Sequence, residues 1–421
     1  MKRYKILQLT LASMLLLSAA FSQSALFLLI APGARAGGMG EAQVALADDS
    51  YATYWNPAGL GFQDGYELSL MHVNWLPGLV DDMYYEFLSG IAPVEGLGVF
   101  GGNVIYLNAG EQQHTDANGN SLGTFLTYFT SGALSYSTLV SENTSIGFNF
   151  KILYQHLTDV VVEDEETKGT ATNFGFDVGY LSKGYMGGKL DLGAMISNLG
   201  PKVIFNDEEQ ADPMPTNLKA GFNFKAYESR YNRVNLVYDV NKLLVGEFAA
   251  MDWDDDGLIG GYTEEGLYTG SDDYNVEGQI EIAHTDSWWK GIFTSFVDDW
   301  YLGGDRNMDD DRMIGGFDAD TVRTDGGFYG NNGKLEKDNN DDRTFSNEFE
   351  ALIHSIGVEY WYNEMFAIRG GYYYDPIGKI TTPTVGAGLR YGNYGFDFGY
   401  TVAEETHPLN NTMRFSLLLK F

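Results

Sequence analysis

Cysteine is absent from the 421 residues. Disulfide frameworks, thiol nucleophiles and cysteine-ligated zinc are excluded together. Proline is scarce, at 10, and 26 Lys and Arg face 58 Asp and Glu, a formal charge of −32. Phosphate binding needs basic residues, so no nucleic-acid partner is expected. Enzyme signatures are missing too. The His residues (His72, His114, His156, His284, His354 and His407) show no H-E-x-x-H spacing, and neither a G-x-S-x-G elbow nor a P-loop occurs. Neither catalytic residues nor enzymatic activity is expected. Beyond residue 31 no apolar run reaches the ~18 residues of a membrane-crossing helix.

What the chain has in quantity is glycine (52) and aromatics (28 Tyr, 26 Phe, 7 Trp). That mixture suits many β-strands joined by tight turns. The first residues form a separate signal. Lys2, Arg3 and Lys5 precede an apolar stretch, Ile6 to Phe21, and small residues at Ser22-Gln23-Ser24. Residues 1–24 read as a cleaved export signal.

Period-two alternation carries the architecture. Ile146, Phe148, Phe150, Ile152 and Tyr154 share one face of a strand, with Gly147, Asn149, Lys151 and Gln155 on the other. Candidate strands lie at roughly 65–73, 83–92, 96–107, 127–138, 143–156, 170–182, 188–198, 216–226, 231–242, 348–362, 365–375, 382–391, 394–403 and 411–421; the one at 96–107 alternates poorly and is placed by composition and position. One face is aromatic and apolar; the other carries Lys, Asp, Arg and Asn. The connections alternate short and long. Together these features predict an all-β fold, a transmembrane outer-membrane β-barrel of about 14 antiparallel strands over 65–421, with periplasmic short turns and extracellular long loops. Lipid demands that every backbone group be paired, so the sheet must close. The last strand places Met413, Phe415, Leu417, Leu419 and Phe421 on its apolar face and stops at the aromatic. Phe415, Leu417, Leu419 and Phe421 therefore resemble the signal read by the barrel insertion machinery, which becomes an expected partner beside outer-membrane lipid.

Inside the barrel the alternation puts Asp177, Asp191, Asp239, Glu359 and Asp397 against Lys151, Lys219, Lys225, Arg369, Arg390 and Arg414. Lumen ion pairs are the expected outcome.

One connection is unlike the others. Residues 243–347 hold 25 acidic and 7 basic residues and interrupt the barrel between its ninth and tenth strands. A loop of that length is expected to fold partly or to serve a partner. Trp288, Trp289, Phe293, Phe296, Trp300 and Tyr301 are its expected small core, with a partner-contact patch as the alternative. Asp252, Asp254 and Asp256 stand at the first oxygen positions of a calcium loop, with Gly257 at six and Ile259 at eight. Thr263 replaces the closing Glu. Asn307, Asp309, Asp311 and Asp318 repeat the spacing, with Arg312 in place of the Gly. Apart from calcium at these residues, no cofactor is expected. A solvated acidic surface is the competing reading, and calorimetric titration with calcium separates the two.

Residues 25–64 precede the first strand and do not alternate. They are too apolar to sit in water, so they are expected to plug or line the periplasmic side of the lumen. Gly37, Gly38 and Gly40 permit close backbone approach, and Asn56-Pro57-Ala58 sets a turn. The stretch ARAGGMGEAQVALADDSYATYWNPAGL, residues 34–60, resembles the N-terminal signature of the PorV/PorQ family within the FadL-like barrels. Arg35, Gly37, Gly38, Met39, Gly40, Asn56, Pro57 and Ala58 carry the likeness. The resemblance implies an outer-membrane component of the type IX secretion system. Such barrels accept cargo bearing a C-terminal signal domain from the secretion translocon and escort it at the cell surface. The alternative it implies is a FadL-like channel for hydrophobic small molecules.

Overall fold

The computed structural model describes residues 25–78, 80, 82–115, 121–158, 169–205, 211–244, 247–248, 284–296, 328–329, 335–336, 352–376, 378–403 and 409–421. The export signal and all seven calcium-loop residues, Asp252, Asp254, Asp256, Asn307, Asp309, Asp311 and Asp318, lie outside the described residues. Among the described residues, no helix is long and apolar enough to cross a membrane.

Alternation becomes a wall. Fourteen antiparallel strands form a closed barrel. They are β1 (Glu67–Asn74), β2 (Tyr84–Val94), β3 (Gly98–Thr115), β4 (Ser121–Ser141), β5 (Thr144–Thr158), β6 (Gly169–Gly184) and β7 (Leu190–Leu199). After these come β8 (Asn217–Glu228), β9 (Asn232–Leu243), β10 (Ile353–Tyr362), β11 (Phe366–Asp375), β12 (Ile380–Tyr391), β13 (Tyr394–Thr401) and β14 (Met413–Lys420). Neighbours in sequence pair throughout, and β14 closes on β1 in the register Glu67↔Lys420 to Val73↔Arg414. Closure removes the free edges that lipid forbids.

The faces sort by solvent. Leu68, Leu70, Phe148, Phe150, Ile152, Phe174, Phe176 and Leu417 are exposed on the outer wall, whereas Ser69, Asn149, Lys151, Asp177, Asp239 and Ser416 are buried inside it. Neighbouring rings on the outer wall form ladders. Tyr84, Tyr106, Tyr128 and Tyr154 follow one another at 6.0, 6.0 and 6.1 Å, and Tyr238, His354 and Tyr374 at 6.1 and 6.2 Å. Amphipathic rings of this kind suit a membrane interface.

Two strands run further than the alternation indicated. The expected loop 108–126 is mostly strand, because β3 and β4 continue as a two-stranded ribbon past their last pairings with β2 at Asn108 and with β5 at Tyr128. There Glu111, Gln112, Gln113, Ser121 and Thr124 are polar on both faces, so no amphipathic signal marks the strands.

Gln23–Leu243 and Leu352–Phe421 form one compact unit, and Met1–Ser22 with Leu244–Ala351 form another. Within the described part of the second, Glu247–Phe248 pairs with His284–Thr285, Phe328–Tyr329 pairs with Leu335–Glu336, and a helix covers Trp288–Thr294. Trp289 and Phe293 of this helix, and Phe296 just after it, are exposed. Trp300 and Tyr301 lie outside the described residues.

Candidate functional site: the lumen segment and its anchors

Residues 25–62 thread the barrel. A 3₁₀ turn (Leu26–Leu29), two single-turn helices (Ala34–Gly37 and Ala52–Trp55) and a second 3₁₀ helix (Pro57–Phe62) are joined by irregular chain. Such short turns cannot satisfy their own backbone. The wall does it for them. The N–H of Ala34 donates to Ser416 Oγ at 2.9 Å, that of Gly40 to Thr384 Oγ1 at 2.8 Å and that of Ser50 to Glu67 Oε1 at 2.7 Å. Asp239 accepts from the N–H groups of Gln43 and Val44 at 2.6 and 2.8 Å. Asn103 and Asn149 both donate to the Thr53 carbonyl, at 3.1 and 2.8 Å.

The segment reaches further than the periplasmic end at which it was expected. Its last turn packs near the short loops, where Ser137 donates to the Ala58 carbonyl at 3.3 Å. Its first turn stacks Phe27 on Phe129 of β4 at 5.6 Å. Phe27, Leu28, Tyr54 and Trp55 join Met71, Val73, Tyr85, Phe87, Ile105, Leu107 and Leu153 in one apolar cluster, with Trp75 and Met83 packed against it. Burial of these rings draws the chain along the β1–β5 side of the lumen.

The motif residues have distinct tasks. Gly40 sits at φ 66, and a Cβ there would lie 2.6 Å from both Tyr372 N and Tyr372 O. Only glycine fits. A Cβ on Gly37 would lie 2.8 Å from the Arg414 side chain and one on Gly38 2.8 Å from the Gly386 backbone. Met39 is buried with Ala42, Leu46 and Val237. Asn56 uses both ends of its amide: Nδ2 donates to the carbonyls of Val44 and Tyr180, each at 3.0 Å, and Oδ1 accepts from Ala58 N at 3.1 Å. Pro57 then opens the 3₁₀ helix, where a missing N–H costs nothing.

Arg35 is the electrostatic centre. Its Nε and Nη2 donate to Glu359 of β10, both at 2.9 Å, and Nη1 donates to Asp49 at 3.1 Å and to Asp48. Glu359 also accepts from Arg369 Nε at 2.8 Å. Arg369 continues to Asp397 at 2.8 Å, and Asp397 to Arg390 at 2.7 Å. Three arginines and four carboxylates thus form a single chain from the lumen segment into β10–β13, buried except at Asp48 and Arg390, which are partly exposed. Burial pushes the Asp49 carboxyl up to about 7, with Arg35 beside it pulling the other way and Glu67 and Asp48 adding to the rise. Burial also opposes the Arg35 charge, but Asp48, Glu359 and Asp49 outweigh it and hold the guanidinium firmly protonated.

Two further lumen pairs follow the alternation: Lys151 meets Asp177 at 2.9 Å and Lys225 meets Asp191 at 3.3 Å. Arg414 instead meets Glu41 of the lumen segment at 2.9 Å. Lys219 differs: its ammonium lies over the rings of Trp55 and Tyr54, 4.5 and 4.9 Å from their centroids. Among the described residues, no group of three or more His, Asp or Glu is arranged to hold a metal. Phe415, Leu417 and Phe421 project from the outer wall and are exposed; Leu419 alternates with them on the same face of β14.

Sequence reasoning missed Glu41, Asp48 and Asp49. Their signal was available: a charge inside an apolar, small-residue stretch destined for burial requires a partner.

The model of the type IX secretion system protein PorV matches residues 18–249 of this chain. The chain belongs to the PorV family. The match takes in the whole lumen segment and β1–β9 but ends before β10, so Arg35 lies within it and Glu359 beyond it. As a PorV-family barrel the protein is an outer-membrane component of the type IX secretion system. No curated protein sequence matches the chain. Solved barrels resemble it at low identity. The Pseudomonas putida toluene transporter TodX is 13% identical, with 92% of this chain and 97% of that one covered and a TM-score of 0.48. The Ralstonia pickettii toluene transporter TbuX is 11% identical over 92% and 97%, with a TM-score of 0.45. A Pseudomonas aeruginosa FadL homologue is 10% identical over 92% and 98%, with a TM-score of 0.41.

Proposed function

We propose that this PorV-family barrel accepts cargo with a C-terminal signal domain from the secretion translocon and escorts it at the cell surface, without itself conducting or catalysing. The observation that supports the reading is the fastening of the lumen segment. Glu67, Asn103, Asn149, Asp239, Glu359, Thr384 and Ser416 hold it from strands spread around the barrel. Breaking the buried Arg35–Glu359 pair costs about 3–5 kcal/mol, and each of the other buried groups left unpaired costs about 1–3 kcal/mol. A conduit needs a movable obstruction, whereas an escort needs a rigid body that presents its rim. Affinity purification of the full-length barrel from its own outer membrane tests the proposal: translocon components and surface cargo co-purify. A barrel that arrives alone after chemical cross-linking removes the escort role.

A second reading has one observation in its favour. Tyr85, Phe87, Ile105 and Leu153 make an apolar stretch of the lumen that Phe27, Leu28, Tyr54 and Trp55 of the lumen segment cover, and a hydrophobic small molecule would suit it once those rings are displaced. For a channel of that kind, uptake of a radiolabelled aromatic hydrocarbon into liposomes depends on the barrel. For an escort, uptake equals that of empty liposomes.

A further inference from the structure

Two grooves indent the lipid-facing wall on either side of β1, the larger over β1–β3 with Phe421 and the smaller over β1 and β12–β14. The larger, about 630 Å³, is bounded by Tyr66, Leu68 and Phe421 on one side and Phe100 on the other, over Gly90 and Ala92. The smaller, about 360 Å³, lies between Leu68 and Leu70 on β1 and Leu389, Tyr391, Tyr394 and Phe396 on β12 and β13. Leu68 is the ridge between them. Both lie at the short-turn end, where Tyr66, Tyr391 and Tyr394 are exposed and can turn their hydroxyls towards water.

We propose that the two grooves are a phospholipid site, with acyl chains of the inner leaflet lying on either side of Leu68 and the headgroup region against the three tyrosines. The grooves are continuous with the outer wall, which is already an interface with lipid. Apart from Glu67, whose buried carboxylate is already paired with Lys420 and the N–H of Ser50, their linings are apolar side chains and small residues, the surface an acyl chain covers without leaving a polar group unpaired. Tyrosine at the mouth supplies what the adjoining headgroup region needs, an apolar ring with a polar tip. The short-turn end faces the periplasmic leaflet, which selects phospholipid over the lipopolysaccharide of the outer leaflet.

Native mass spectrometry of the full-length barrel, extracted from outer membranes in mild detergent, counts the phospholipid retained. Gly90→Leu fills the floor of the larger groove. A Cβ there meets only Leu68 Cδ1 at 3.5 Å and Glu67 O at 3.6 Å, so the side chain is accommodated. Gly132→Leu adds the same side chain to the lipid face of β4, where a Cβ meets nothing within 4 Å. Wild type and Gly132→Leu are expected to keep phospholipid through collisional activation, and Gly90→Leu to lose about tenfold in retention, equivalent to removing about two methylenes from the groove. Heat-modifiable migration reports whether each variant has folded. Should Gly90→Leu not assemble, Phe100→Ala removes a wall instead and is expected to weaken retention likewise. Equal retention in all the proteins, equal loss in Gly90→Leu and Gly132→Leu, or retention of lipopolysaccharide or a protein in place of phospholipid overturns the proposal.

Discussion

Arg35 and Glu359 are separated by 324 positions and meet in a two-pronged ion pair, with both donor–acceptor distances 2.9 Å. The fork of a guanidinium matches the two oxygens of a carboxylate, a geometry that an ammonium cannot copy. Arg35→Met leaves Asp49 and part of Glu359 without their counter-charge. The expected cost is about 3–5 kcal/mol, the range for removing one partner of a buried pair. Limited proteolysis of the barrel in detergent should then cut within residues 25–62, which wild type protects. Arg35→Lys should fall between the two. Wild-type protection in Arg35→Met would show that the pair does not anchor the segment.

Asp49 gives the anchor a pH dependence. Its carboxyl titrates at about 7 in the fold, against 3.8 for a free one, because burial penalises the charge. Between those values the folded state holds a proton that the unfolded chain has released. Stability contributed here therefore declines as pH rises through that window and is level on either side. Thermal melts of wild type and Asp49→Asn across the window should differ in slope, the variant being flatter. A steeper decline in Asp49→Asn contradicts the assignment.

Asn56 ties the second 3₁₀ helix to both the lumen segment and the wall. Asn56→Ala removes three hydrogen bonds and leaves the carbonyls of Val44 and Tyr180 short of a donor. A loss of about 2–3 kcal/mol is expected, since each buried unpaired group costs ~1–3 kcal/mol. Urea denaturation in detergent measures it. Asn56→Asp should be at least as damaging, because a carboxylate cannot donate to those carbonyls. Equal midpoints for all three proteins would assign no role to the amide.

Phe421 is exposed on the outer wall and touches little inside the barrel. If it is read by the insertion machinery, Phe421→Ala should lower the amount of barrel assembled in cells while leaving the midpoint of the refolded, purified barrel almost unchanged. Cell-fractionation blots and detergent melts make the comparison. Equal assembly of variant and wild type would show that the terminal ring carries no such signal.

The wall was legible because lipid on one side and polar contents on the other impose a two-residue period. All fourteen expected strands are present, and only Gly98–Thr115 was placed by composition and position instead of that period. The period fails where the environment stops being two-sided, and so the β3–β4 ribbon around Glu111 and Thr124 was invisible. It fails again in residues 25–62, which are surrounded by protein. There the sequence shows only small and apolar residues, with charges at Arg35, Glu41, Asp48 and Asp49 for which no partner can be named.

Partner choice is a property of closure. Arg35 meets Glu359, and Glu41 meets Arg414, only after β14 has paired with β1 and fixed which inward side chains share a level. Residue order fixes which face each side chain takes along its strand. The shear of the closed sheet fixes who stands opposite whom across the lumen, because it depends on every pairing around the ring at once. The chain by itself therefore determined a lipid-facing cylinder with a charged interior, and the tertiary structure decided that this interior is bolted to the protein's own N-terminal segment.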